Sequence, residues 1–163
     1  MSKKNTKLYI AYGSNLNVEQ MTYRCPDAKY FGTAEVKDYE LLFKGSKTGS
    51  YLTIEPKTGS RVPVGVWEVS ENDEYNLDMY EGYPRFYYKK DMILDVDTGH
   101  GIERRKVFVY IMHEQNPLGV PSLYYVETCI EGYRNFGFDR KVLNEAIMRS
   151  IKSYERDFEK RIG

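Results

Sequence analysis

Leu8-Tyr9-Ile10-Ala11-Tyr12-Gly13-Ser14-Asn15-Leu16 changes character midway. Its first five residues form an apolar run of strand length, and Gly13-Ser14-Asn15 closes that run as a turn. Asn17 then caps a short helix, with Gln20 at capping-box spacing, and Pro26-Asp27 ends it. A strand that passes through a polar turn into a helix gathers backbone N–H groups and short polar side chains at one point. Successive N–H groups in such a turn can converge on a carboxylate. An ordinary turn followed by a helix cap has the same spacing, so the pattern alone leaves both readings open.

Downstream, Val36 to Phe43 and Tyr51 to Glu55 read as strands. Val62, Val64 and Val66 alternate with Pro63, Gly65 and Trp67 in another, whose proline points to an edge or a strand end. Phe86 to Val96 and Lys106 to His113 are two more, joined by the turn-like Thr98-Gly99-His100-Gly101. Ser70 caps a helix from Glu71 to about Tyr80 or Glu81, with Asp73 as a short capping-box partner; Gly82 stops it and Pro84 cannot continue it. Pro121-Ser122 opens a second helix with a Leu123, Val126, Ile130, Tyr133 stripe, broken at Gly137. Asp139 caps the last helix, striped by Leu143, Ile147, Ile151, Tyr154 and Phe158. About six strands, with helices gathered late and no regular βαβ alternation, argue for an α+β fold with a mostly antiparallel sheet. So many short strands suit a small barrel.

The chain has 163 residues, a length that suits one domain, residues 1–163, able to bury a core unaided. Lys and Arg total 24 and Asp and Glu total 24, so there is no basic excess for nucleic acid. No apolar run approaches the ~20 residues of a membrane helix, and the basic opening, Met1 to Lys7, has no signal-length apolar stretch behind it. Cys25 and Cys129 form at most one bridge, and a reducing, cytoplasmic setting is the default. Both read as small buried residues rather than nucleophiles. His100 and His113 lie near no partner at metal-ligand spacing, so neither metal nor cofactor is expected. Gly45-Ser46-Lys47-Thr48-Gly49 superficially resembles a phosphate loop but lacks adjacent Gly-Lys-Ser/Thr and the upstream glycine. The 16 tyrosines suit both a Tyr-rich sheet and walls around a small polar ligand.

Glu81 is the second candidate. It ends the 71–81 helix, where the macrodipole is negative and disfavours an ionised carboxyl; burial acts in the same direction. A carboxyl held near neutrality shuttles protons. Glu71, Glu74, Asp78 and Glu81 also share one helical arc, which describes a solvated acidic face equally well.

These pieces, in their order, resemble the γ-glutamylcyclotransferase family, which includes AIG2-like proteins and the butirosin-pathway cyclotransferase. Leu8 to Leu16 is similar to the family's strand and signature loop, with Met21 and Arg24-Cys25-Pro26 at family-like spacing. Leu52 to Ser70 resembles its central hairpin, and Leu77 to Tyr87 the segment that bears its catalytic Glu. Pro121 to Tyr125 resembles the PSxxY that opens its late helix. The resemblance covers about residues 8 to 148, with a helical extension after it. It implies a small, partly open β-barrel with flanking helices, and a metal-free, cofactor-free release of 5-oxoproline from a γ-glutamyl amine or γ-glutamyl amino acid. It carries Tyr12, Gly13, Ser14, Asn15 and Leu16 as the head-group loop, Glu81 as the acid/base, and Tyr125 and Tyr87 as ligand-facing aromatics. Arg85-Phe86 is bulky beside the site and departs from many members. The partners it implies are the small-molecule substrate and, as a candidate, a second copy of the chain. A non-catalytic metabolite-binding domain of the same fold is the competing reading. Retention of Glu81 counts against that reading, since binding a carboxylate gains nothing from a nearby carboxylate.

Overall fold

The computed structural model describes residues 5–46 and 49–162. Lys47 and Thr48 of the phosphate-loop look-alike, and residues 1–4 of the basic opening, lie outside them. The first strand, β1 (Thr6–Ala11), runs into a single 3-10 turn, Ser14–Leu16, and then into α1 (Val18–Arg24). Asn17 caps α1 by accepting the Gln20 N–H at 3.0 Å. The capping box is only half made, because the Gln20 carbonyl is taken by Arg24.

Two long strands follow, β2 (Lys29–Ser46) and β3 (Gly49–Ser70). Among the described residues, five strands replace the six expected, because the Tyr51–Glu55 and Val62–Trp67 segments are one bent strand. The pairing slips between Lys37 and Tyr39. There Asp38 adopts a left-handed φ of 61°, and its carboxylate accepts the Gly59 N–H at 2.9 Å. The residues between Pro56 and Arg61 thus form a bulge inside a strand. Pro63 lies beyond the last β1–β3 pair, Ala11↔Gly65, so β3 has a strand partner on one side only there. The edge position inferred from its missing N–H is the one observed.

The α2 helix (Glu71–Glu81) has the full capping box: Asp73 N–H to Ser70 Oγ at 3.1 Å, and Ser70 N–H to Asp73 Oδ2 at 3.2 Å. Gly82 terminates it at φ 64°. Next come β4 (Tyr87–Asp97) and β5 (Ile102–Met112). β5 starts earlier than the apolar pattern indicates. Its first residues, Ile102 to Arg105, are exposed and held by ladder pairing to β4 rather than by burial.

The order β1-β3-β2-β4-β5 closes into a barrel through a parallel pair, Tyr9↔Phe108. The fold is therefore α+β, with a sheet antiparallel except at that seam. The barrel is closed rather than partly open as expected, though its β2–β4 seam is thin, with Thr33↔Asp97 as its ladder pair. Two helices lie outside the barrel, α3 (Leu123–Phe136) and α4 (Lys141–Ile162). α3 seats closely because Gly132 faces the 3-10 turn; a Cβ there would stand 2.6 Å from Asn17 N and 2.7 Å from Leu16 Cβ. α4 is a single helix through residue 150, so the expected extension is its continuation. Leu143, Ala146 and Ser150 bury its first half, while Tyr154, Phe158 and Ile162 are exposed. Both cysteines are free and buried, as expected.

Candidate active site

The 3-10 turn, the end of α2, the opening of β3 and the start of α3 meet around a cavity of about 340 Å³. Tyr12, Gly13, Ser14, Asn15, Glu81, Tyr87 and Tyr125 all line it, though they lie far apart in sequence. Leu16 does not. It is fully buried beneath the turn, against Gly132 of α3, and serves as a core anchor. The 3-10 turn explains this: it presents Ser14 and Asn15 to the cavity and rotates the next side chain inward. Tyr9, Tyr51, Tyr80 and Tyr110 also line the cavity, and reasoning from sequence did not single them out as site residues. Tyr80 had a local signal, being next to Glu81. Tyr9 and Tyr110 had none, because only the β1–β5 seam brings their strands together. Of the bulky pair expected beside the site, Phe86 lines the cavity and Arg85 is exposed without lining it.

The turn leaves backbone donors unspent. Leu16 N–H donates to Gly13 O and Asn17 N–H to Ser14 O, each at 3.0 Å. Among the described residues, the N–H groups of Gly13, Ser14 and Asn15 have no acceptor. Three consecutive free N–H groups at a cavity edge can receive an anion.

The tyrosines divide by the direction of their hydrogen bonds. Tyr12 donates to Tyr110 O at 2.7 Å, and Tyr87 donates to Leu52 O at 2.8 Å. Tyr125 instead accepts the Leu52 N–H at 3.1 Å, and Tyr9 accepts the Asn15 side-chain amide at 2.9 Å. The two acceptors keep a phenolic proton to donate. Burial pushes all four hydroxyls above the ordinary tyrosine range, so all stay protonated.

Glu81 faces this neutral, hydroxyl-lined space. Burial raises its pKa to about 8, and the Arg24 charge opposes the rise. Of the rest of its acidic arc, Glu71 is exposed, but Glu74 and Asp78 are part-buried and paired. Lys89 binds Glu74 at 2.8 Å and Asp78 at 2.9 Å, Lys7 binds Glu74 at 2.9 Å, and Tyr110 donates to Asp78 at 2.5 Å. Strands β1, β4 and β5 thus clamp α2 through its acidic residues, and Glu81 is left free of those pairings at the cavity. A carboxyl near neutrality beside free N–H groups and protonated tyrosines can move a proton next to a bound carboxylate ligand.

A family model described as gamma-glutamyl cyclotransferase, AIG2-like, matches residues 9–127. The human gamma-glutamylcyclotransferase is 38% identical over 82 residues, covering 46% of this chain and 44% of that protein. The chain thus matches less than half the length of that relative. The mouse gamma-glutamylcyclotransferase is 34% identical over 144 residues, covering 83% of this chain and 74% of that protein. A solved gamma-glutamyl cyclotransferase structure is similar, with a TM-score of 0.73 at 27% identity, over 87% of this chain and 86% of the other.

Proposed function

The chain belongs to the gamma-glutamyl cyclotransferase, AIG2-like family, and from that membership we propose that it is a γ-glutamyl cyclotransferase. Its substrate is a small γ-glutamyl amine or γ-glutamyl amino acid. The glutamyl α-amine attacks the γ-amide carbonyl, a five-membered lactam closes, and the amide C–N bond breaks. The products are 5-oxoproline and the free amine. No water, metal or covalent enzyme intermediate enters the balance.

The glutamyl chain must be held folded, with amine and carbonyl near contact. Well-oriented intramolecular reactions reach effective molarities of ~10⁵–10⁸ M, so orientation is the largest contribution. In this reading, the N–H groups of Gly13, Ser14 and Asn15 grip the α-carboxylate. Glu81 takes the proton from the attacking nitrogen and returns it to the leaving nitrogen, each role worth roughly 10²–10⁴-fold. The developing oxyanion accepts a hydrogen bond from the Tyr125 hydroxyl, whose proton is not spent on Leu52 because the hydroxyl accepts there. Tyr12 and Tyr87 spend their protons on backbone carbonyls and shape the wall.

The observation that carries the proposal is that Glu81 lines the same cavity as the unspent N–H groups of the turn. The test is to incubate the purified chain with a panel of γ-glutamyl dipeptides and γ-glutamyl amines and to assay 5-oxoproline. Its release at enzyme-like rates from at least one member is expected; none from any member overturns the proposal.

A reducing, cytoplasmic setting belongs to the same reading and is supported by two free buried cysteines. No helix among the described residues is long and apolar enough to cross a membrane. A homodimer belongs to it as well, supported by the exposed Tyr154, Phe158 and Ile162 on α4. Light scattering tests it, and a mass near the 19.2 kDa of one chain counts against it.

A further inference from the structure

Loop and proton carrier come from separate parts of the chain, and one side chain touches both the loop and the residue that precedes the carrier. Arg24, the last residue of α1, lays its guanidinium over the Tyr80 ring at 3.4 Å from the centroid. Tyr80 precedes Glu81 on α2, and its hydroxyl meets Ser14 Oγ of the turn at 3.2 Å. Arg24 also donates to the Asn15 side-chain carbonyl. That contact fixes which way the Asn15 amide points, and its NH₂ then donates to the Tyr9 hydroxyl at 2.9 Å. The guanidinium is held in turn by Gln20 at 3.3 Å, and the Arg24 carbonyl by Asn76 of α2 at 3.2 Å. Arg24 itself does not line the cavity.

We infer that Arg24 is a positioning residue of this site: it ties the Tyr12–Leu16 turn to the end of α2, so that the N–H groups of the turn and Glu81 keep one spacing. The inference rests on the cyclotransferase reading for its kinetic consequence only. Stacking needs a planar cation, and a fork of donors is needed to reach Asn15 and Gln20 together. Lysine supplies the charge without the plane or the fork.

The surroundings of Glu81 make the charge effect separable. The other titratable groups that line the cavity around it are all phenols: Tyr9 of β1, Tyr12 of the turn, Tyr51 of β3, Tyr80 of α2, Tyr87 of β4, Tyr110 of β5 and Tyr125 of α3. On its own helix, Glu74 and Asp78 are paired with Lys89 of β4, and Glu74 also with Lys7 of β1. Arg24 of α1 is the cation whose field opposes burial at Glu81.

Arg24→Gln and Arg24→Lys test this, with 5-oxoproline release from a γ-glutamyl anilide as the activity and a ¹³C titration of the Glu81 carboxyl as an independent readout. In Arg24→Gln the Glu81 midpoint should rise by about one unit. kcat should fall by roughly 10²-fold, the cost of ~1 Å misplacement, with KM within about threefold of wild type. Arg24→Lys should keep the midpoint within about half a unit and still lose about tenfold or more in kcat. An unmoved midpoint in Arg24→Gln, or a loss confined to KM, overturns the inference. If Arg24→Gln melts below the assay temperature, Arg24→Lys carries the test: lowered kcat at unchanged KM supports the inference and wild-type kcat overturns it. A wild-type chain that releases no 5-oxoproline from any γ-glutamyl substrate overturns the proposed function instead, and the titration still reads the effect of Arg24.

Discussion

The Leu52 N–H donates to the Tyr125 hydroxyl at 3.1 Å, joining residues 73 positions apart in sequence. The bond makes the hydroxyl an acceptor and leaves its proton for the cavity. Tyr125→Phe removes both. It should lower kcat by about 10²-fold, the scale seen when one oxyanion donor is deleted. Steady-state kinetics checks this, with KM expected to stay within a few-fold. A wild-type kcat would move the oxyanion role to another hydroxyl.

Glu81→Gln keeps the shape of the side chain and removes the proton carrier. Turnover should fall by at least 10²-fold, while calorimetry should find a γ-glutamyl analogue still bound. Turnover within tenfold of wild type would remove Glu81 from the chemistry.

The same variant carries a stability signature. The Glu81 carboxyl has a folded pKa of about 8 against an ordinary 4.5. Between those values the folded chain holds a proton that the unfolded chain has lost. Stability therefore falls as pH rises through that window, by up to ~1.4 kcal/mol per unit, and the loss is complete above the folded value. Relative to wild type, Glu81→Gln should gain stability progressively from pH 5 to pH 8. Urea melts at each pH measure the difference, and parallel curves would mean that the carboxyl is not held protonated.

Leu16 separates a packing role from a ligand-contact role. It is fully buried beneath the turn. Leu16→Ala should cost ~2–5 kcal/mol of stability in denaturant unfolding. A substrate contact would instead raise KM at unchanged stability.

Proton transfer and orientation suffice for the proposed reaction, so prolonged chelation followed by dialysis should leave the rate within twofold of the untreated enzyme. Loss of activity restored by a divalent ion would require a different mechanism.

Much of this molecule can be read locally. The Ser70–Asp73 capping box, the Gly82 stop and the Ser122 cap of α3 involve residues within a few positions of one another, so spacing alone reveals them. The Tyr12–Leu16 turn and Glu81 were legible as candidates for the same reason. Each kept a plain alternative, because a capped turn and an acidic helical face satisfy the same local rules. The bend that makes β3 one strand was not legible, because Asp38 and Gly59 meet only once β2 and β3 have paired. The barrel seam was hidden too, since a single parallel pair, Tyr9↔Phe108, leaves no periodic signal in either strand. That seam brings Tyr9 and Tyr110 to the cavity. The α2 clamp pairs Glu74 and Asp78 with Lys89 and leaves Glu81 facing inward. What the sequence determined by itself was the set of elements, their ends and the chemistry carried at those ends, all short-range consequences of periodicity and capping. Only the tertiary structure decided that Glu81 faces the turn, that Leu16 does not, and that Arg24 touches both sides of the site, because those outcomes depend on long-range pairing and burial.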